Sequence, residues 1–227
     1  MITLHHLNNS RSQRVLWMLE ELALPYKVAQ YQRDKLTMRA PASLKNVHPL
    51  GRSPVITDGK NAVAESGAII EYLLSKKPES RLKPAIGSAA QLKFTYWLHY
   101  AEGSAMPPLL LNLIFSKIPE APMPALARAI VRPIAEGIRT RFVKPELKLH
   151  LDYIEESLGA TPWFAGRSFT AADIQMSFAV EAARSAIEST KKGTFVKQYP
   201  HMNDFLTRIH ARPAYKKALE VGGRYDL

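Results

Sequence analysis

Two short stretches of this chain carry residue types arranged for ligand chemistry. One is Leu50-Gly51-Arg52-Ser53-Pro54-Val55-Ile56; the other is Glu65-Ser66-Gly67-Ala68-Ile69-Ile70-Glu71-Tyr72-Leu73. The first reads as a turn whose proline leads into a short apolar strand. Proline lacks the N–H that a sheet ladder uses, so it is confined to edges, strand starts and special turns. A cis peptide at Pro54 would turn the backbone of Val55 outward, free to pair with an extended peptide. The second stretch reads as a helix opening on Glu65-Ser66, where free N–H groups and the positive end of the dipole favour an anion. A peptide-pairing edge beside a carboxylate site suits a small, acidic, peptide-like ligand.

These residues need a scaffold, and the periodicity supplies one. Residues 2–7 alternate as a strand, and Arg11 to Leu22 follow helical spacing with Val15, Leu16, Leu19 and Leu22 on one face. Ser10 or Ser12 is placed to cap that helix. Tyr26 to Gln30 alternate again, and residues 34–48 are expected as a short helix or irregular loop around Pro41. Asp58-Gly59 closes a hairpin between Val55–Thr57 and Asn61–Ala64, and Ser66 to Lys77 is the next helix. A β-α-β unit demands a parallel pair and the hairpin adds an antiparallel one, so the sheet is mixed.

Lys76-Lys77-Pro78-Glu79-Ser80, with Pro84 and Gly87 beyond, has linker composition, and strand signals then nearly stop. Long helices are expected over Ala89 to Ser116 and Leu126 to Leu158, the second kinked or broken at Pro133 and Pro145. Helices over 171–190, Tyr199 to His210 and Pro213 to Val221 finish the chain. The organisation is an N-terminal α/β domain (1–78), a linker (79–88) and an all-helical domain (89–227). Phe169-Thr170-Ala171-Ala172-Asp173-Ile174 reads as a capping box with its hydrophobic staple, so Asp173 is assigned to folding rather than chemistry.

Composition narrows the partners. The chain has 227 residues, 46% hydrophobic, enough for a substantial core. No apolar run of about 18 residues suggests a membrane span, and the opening residues lack the basic start of a signal peptide. Cysteine is absent, which excludes disulfides, thiolate metal sites and a cysteine nucleophile, and a cytoplasmic location is expected. The net charge of +11 is dispersed. Its densest group, Arg128, Arg132, Arg139, Arg141, Lys144 and Lys148, has helical spacing and reads as a solvated face, with no nucleic-acid motif beside it. His5, His6, His99 and His150 show no metal-ligand spacing and are read as structural or surface histidines, so no metal is expected.

Taken in order, His48-Pro49-Leu50-Gly51-Arg52-Ser53-Pro54-Val55, Glu65-Ser66-Gly67-Ala68-Ile69 and the capping box at 169–174 resemble the cytosolic glutathione S-transferase family over essentially the whole chain. Leu4-His5-His6-Leu7-Asn8-Asn9-Ser10-Arg11-Ser12-Gln13-Arg14 looks like the bacterial and fungal branch of its serine-type enzymes. The resemblance implies a thioredoxin-like N-terminal domain with a mixed four-stranded sheet, followed by a helical bundle. It implies glutathione as co-substrate and a homodimer. Pro54 would be the cis-proline, with Ser53 beside it, and Val55 would pair with the cysteinyl backbone. Glu65 and Ser66 would hold the γ-glutamyl end, and Arg52 would reach the glycyl carboxylate. His48 departs from the asparagine common at that position.

Such an enzyme attacks a hydrophobic electrophile with the glutathione thiolate. A thiol titrating near 8.5 is mostly protonated at neutral pH, and each unit of depression requires about 1.4 kcal/mol of preference for the anion. A hydroxyl at a helix N-terminus can supply this by donating a hydrogen bond to sulfur. Ser10, four residues before Arg14, matches the family's spacing best; Ser12 and then Asn9 are the other candidates. Tyr100 and Met106 belong to an apolar stripe from which the electrophile site would be drawn. A side activity as glutathione peroxidase fits the same chemistry. The rival readings are a non-catalytic, transferase-like binding or scaffold module, and nucleic-acid binding driven by charge.

Overall fold

The computed structural model describes residues 1–34, 37–189, 192–223 and 225. Strand β1 (Ile2–Leu7) is followed by helix α1 (Ser12–Glu21), strand β2 (Tyr26–Tyr31), the hairpin β3 (Val55–Asp58) and β4 (Asn61–Ala64), and helix α2 (Ser66–Ser75). The sheet order is β2-β1-β3-β4, with β1 parallel to β2 and antiparallel to β3, and β3 antiparallel to β4. This is the mixed four-stranded thioredoxin-like sheet. Asp58 pairs with Asn61, and Gly59 turns between them at φ +60°, a conformation that glycine takes without strain. Between β2 and β3 the chain makes a short 3-10 turn at Ala42–Asn46. Of the expected segment 34–48, residues 35 and 36 lie outside the described residues.

A sheet residue in a central strand is covered on both faces when helices pack on each side. β1 is such a strand, so both His5 and His6 are buried, which the histidine spacing alone did not reveal. α1 goes further than its amphipathic pattern. Every residue from Ser12 to Leu19 is buried, because α1 has the sheet on one side and later helices on the other. Trp17 meets the edge of Tyr215 at 5.1 Å and lies 5.7 Å from Phe169.

The remaining helices are α3 (Ala89–Tyr100), α4 (Met106–Lys117), α5 (Ala125–Ile138), α6 (Lys144–Ala160), α7 (Ala171–Glu188), α8 (Thr194–Gln198), α9 (Pro200–His210) and α10 (Pro213–Gly222). α8 has no counterpart in the sequence reading. α3 runs into α4 through a π-helical turn, Ala101–Ala105, and α5 into α6 through another, Arg139–Val143. The expected breaks at Pro133 and Pro145 are displaced. α5 continues through Pro133, and Pro145 is the second residue of α6, directly after the π-helical turn. One hydrophobic cluster, from Ile2 and Leu4 through Ile70 and Trp97 to Phe205 and Ala218, joins sheet and helices.

α7 opens on the expected capping box. Asp173 accepts from the N–H groups of Phe164 (2.8 Å) and Thr170 (2.7 Å) and from the Thr170 hydroxyl (3.0 Å). Burial pushes its carboxyl up to about 7, against these three donors, which favour the ionised form. Among the described residues no helix is long and apolar enough to cross a membrane, and no cluster of histidine and carboxylate side chains is built to hold a metal ion.

Candidate glutathione site

Helix α2 begins at Ser66, and the residue before it, Glu65, is exposed at φ +69°. Such a backbone is uncommon for a residue with a Cβ and marks a functional position more often than chance. Ser66 is buried, and its Oγ accepts from Arg14 Nη2 (2.7 Å) and Gln175 Nε2 (3.4 Å). A hydroxyl oxygen with both lone pairs engaged has only its hydrogen left to offer. Ser66 is therefore set as a donor at a helix N-terminus, with a guanidinium behind it. That is an arrangement for a carboxylate.

Arg14 was not singled out as a site residue from the sequence. It is buried in α1, donates to the Gln175 carbonyl (2.6 Å) and pairs with Glu102. Arg11 also binds both Glu102 oxygens, at 2.9 and 3.0 Å. Burial opposes ionisation of Glu102, but Arg14 and Arg11 outweigh it and hold the carboxyl below its usual range. Burial likewise lowers Arg14, opposed by Glu102. Both guanidinium groups lie over the Phe178 ring, at 4.9 and 5.5 Å from its centroid. The available signals were a basic residue inside an apolar helix and a lone acid in the apolar run after Tyr100. Neither disclosed its partner, which lies on a different element.

The Ser53–Pro54 peptide bond is cis. Val55 is fully buried and lies in β3 between His5 of β1 and Ala64 of β4. Ser53 and Arg52 lie ahead of the sheet, with Arg52 exposed and the Ser53 hydroxyl donating to the His5 carbonyl (2.9 Å). The backbone that stands clear of paired strands is thus that of Ser53, not Val55. His48 shapes the preceding turn: its carbonyl accepts from Gly51 N–H (2.8 Å). Arg33, also missed from sequence, braces the loop after β1 by donating to the carbonyls of Asn8 (3.2 Å) and Asn9 (3.0 Å). Burial lowers its basicity, and the nearby charges of Arg11 and Arg52 lower it further. The three arginines give this face a positive field.

The first turn holds the candidate hydroxyls. Ser10 is 5% exposed and Ser12 fully buried. The Ser10 hydroxyl has two acceptors, the Leu7 carbonyl and Ser12 Oγ, both at 2.8 Å, and accepts from Ser12 N–H at 3.2 Å. Ser12 Oγ lies 3.0 Å from His6 Nδ1 and accepts from Leu7 N–H at 3.2 Å. Asn9, at φ +47°, shapes the same turn. The other predicted residues fall elsewhere. Tyr100 is buried, and the partners of its ring and hydroxyl lie on α3 and α6: Tyr96, Trp97, His150 and Tyr153. Met106 is buried in the core at the start of α4. A cleft of about 450 Å³ opens nearby, with Ser104, Pro107, Leu111, Phe142 and His150 in its wall.

A mixed thioredoxin-like sheet with a cis-proline ahead of β3, followed by a packed helical region, defines the fold class, and the comparisons narrow it. Residues 10–76 match the family described as glutathione S-transferase, N-terminal domain, and residues 133–221 match glutathione S-transferase, C-terminal domain. Glutathione S-transferase 3 of Schizosaccharomyces pombe is 38% identical over 97% of this chain and 87% of its own. Glutathione S-transferase 1 of Saccharomyces cerevisiae is 32% identical over 99% and 98%. The crystal structure of a glutathione S-transferase from Actinobacillus pleuropneumoniae superposes with a TM-score of 0.77 at 31% identity, covering 98% of this chain and 93% of that one. The chain belongs to the cytosolic glutathione S-transferase family. A glutathione transferase of Phanerochaete chrysosporium, solved with oxidized glutathione, shares the fold at 20% identity and a TM-score of 0.74, over 97% and 94% of the two chains.

Proposed function

We propose that this chain is a glutathione transferase that joins the glutathione thiolate to hydrophobic electrophiles. The observation that carries the reading is Ser66, left with only a hydrogen to offer at the start of α2. The γ-glutamyl carboxylate takes that hydrogen and the α2 dipole, and Glu65 takes the ammonium. The backbone of Ser53 beside Pro54 pairs with the cysteinyl residue. Arg52 receives the glycyl carboxylate within the field it shares with Arg11 and Arg33. The thiol then lies at the first turn, where Ser10 stabilises its anion, with Asn9 as the alternative donor. The Phe178 ring, beneath Arg11 and Arg14, supplies apolar surface for the electrophile, and glutathione peroxidase chemistry would use the same thiolate.

The test is calorimetric titration with glutathione, followed by conjugation assays with model electrophiles. Saturable binding at one site per chain, with turnover lost in Ser10→Ala, supports the proposal; a folded protein that does not bind glutathione sinks it. One observation favours a second reading, a non-catalytic binding module: the Ser10 hydrogen is used internally. Glutathione binding with no turnover of any electrophile would select that reading.

Pairing of two chains is part of the proposal. Leu92, Ile130, Ile134, Phe142 and Leu149 on α3 to α6 are between 58 and 76% exposed, apolar surface of a kind that a partner copy would cover. Light scattering should give twice the chain mass, reverting to one chain in an Ile130→Glu, Phe142→Glu variant.

A further inference from the structure

The hydrogen bonds beneath Ser10 form a directed chain. His6 Nε2 lies 3.2 Å from the Gly222 carbonyl, which can only accept, so Nε2 carries the hydrogen. Nδ1 of the neutral ring must then accept, and its partner, Ser12 Oγ at 3.0 Å, must donate. Ser12 Oγ is itself 2.8 Å from Ser10 Oγ. The Ser10 hydrogen has the Leu7 carbonyl and Ser12 Oγ equally near, at 2.8 Å, and when it turns to Ser12 the line runs from Ser10 through Ser12 to a basic ring nitrogen. Ser10 Oγ accepts one bond, from Ser12 N–H, and retains a second lone pair.

We infer that His6 receives the thiol proton of bound glutathione through Ser10 and Ser12. This rests on the reading that glutathione's sulfur lies at Ser10. The thiol donates S–H to the open lone pair of Ser10. Its proton passes to Ser10 Oγ, the Ser10 proton to Ser12 Oγ, and the Ser12 proton to His6 Nδ1. The products are a thiolate and an imidazolium, and no proton leaves the protein. Every hydroxyl has reversed direction. Ser10 now donates to the sulfur anion, which resolves why its hydrogen points inward before glutathione arrives. His6 never touches the sulfur and is a positioning residue acting through the two serines.

The surroundings of His6 fit this task. It is 2% exposed, so the transferred proton is shielded from solvent. Resting neutral, the ring keeps Nδ1 as an acceptor; burial works against the imidazolium and the Gly222 carbonyl works for it. The elements packed on it present Gln13 of α1, Gln30 of β2, paired opposite His6, and the end of α10; among the described residues no charged group acts on it. Gly222 is required for the approach, since a Cβ there would stand 2.5 Å from Gln13 Oε1 and 3.2 Å from His6 Cε1.

The experiment counts protons. Glutathione is titrated into the full-length protein near neutral pH in buffers of different ionisation enthalpy, while ultraviolet absorbance reports the thiolate. The expected result is thiolate formation with no matching proton release. In His6→Asn, which keeps an acceptor at the Nδ1 position but cannot hold the proton, the bound thiol should titrate at least about one unit higher, a tenfold loss of thiolate. Ser12→Ala should act alike and Ser12→Thr should restore the wild-type titration, so the inference stays testable if His6→Asn does not fold. One proton released per thiolate formed, or an unshifted titration in a folded His6→Asn or Ser12→Ala, overturns the inference while leaving the transferase reading intact. Failure of the wild type to bind glutathione overturns both.

Discussion

Two helix N-termini in the sheet region each carry a serine, and they are wired in opposite senses. At the start of α2, Ser66 Oγ receives hydrogen bonds from Arg14 and Gln175, and its own hydrogen is left over. At the start of α1, the hydrogens of Ser10 and Ser12 meet only internal acceptors, among them the Leu7 carbonyl, Ser12 Oγ and His6 Nδ1. The same residue type at the same kind of position is thus a ready donor in one place and a spent donor in the other. The surroundings decide which. Donors packed behind a hydroxyl turn its hydrogen outward, and acceptors packed behind it turn the hydrogen in. The first arrangement suits an anion that is already charged. The second suits a group that must first lose a proton.

The most forceful way to break the contrast is to remove the cation behind Ser66. Arg14→Met removes the buried one of the two cations on Glu102, leaving Arg11, and takes the charged donor from Ser66 and the Gln175 carbonyl; it should cost about 3 kcal/mol of stability, the low end for breaking a buried ion pair. Urea denaturation reads this directly, and a loss below about 1 kcal/mol would mean the pair is no stronger than a surface one. Ser66→Ala is smaller and more local. Losing a hydrogen bond to a charged group, worth about 1.5–3 kcal/mol, should weaken glutathione binding about 10- to 100-fold. Ser10→Ala should leave the affinity within about twofold while raising the pKa of the bound thiol. If both variants lose affinity equally, the two helix starts do not divide the work.

A third helix start sharpens the comparison as a control. At α7 all three donors around Asp173 come from the protein itself, and nothing is left for a ligand. Asp173→Ala should cost about 0.5–2 kcal/mol of stability, read by thermal or urea unfolding, without changing glutathione affinity per folded molecule. The same group predicts a pH slope. Burial raises its carboxyl to about 7, above the unfolded value near 3.9. Between those values the folded state binds more protons than the unfolded one, so this contribution to stability is full below about pH 4 and is lost as pH rises toward 7. Asp173→Asn should flatten that slope in urea titrations run across the window.

How much of this was legible in the sequence follows from the range of each interaction. Alternation in residues 2–7, the Asp58-Gly59 turn, the Glu65-Ser66 helix start and the Thr170–Asp173 box are local signals, and the structure carries each of them. Pro133 and Pro145 misled because proline constrains only its own turn. The interruption lies between them, in the π-helical turn at Arg139–Val143 that ends just before Pro145. Tyr100 was read from an apolar stripe, but a stripe does not say which neighbour it meets, and α6 claimed it.

By itself, then, the sequence determined the order of elements, the mixed sheet, the proline turn and the residues of a carboxylate-binding helix start. It could do so because these depend on dihedral preference and on periodicities of a few residues. Only the tertiary structure decided which way each hydroxyl points. Arg14 and Gln175 reach Ser66 from α1 and α7, and the Gly222 carbonyl reaches His6 from the far end of the chain. Hydrogen-bond direction is imposed by whatever lies within about 3 Å, and packing alone brings those groups together.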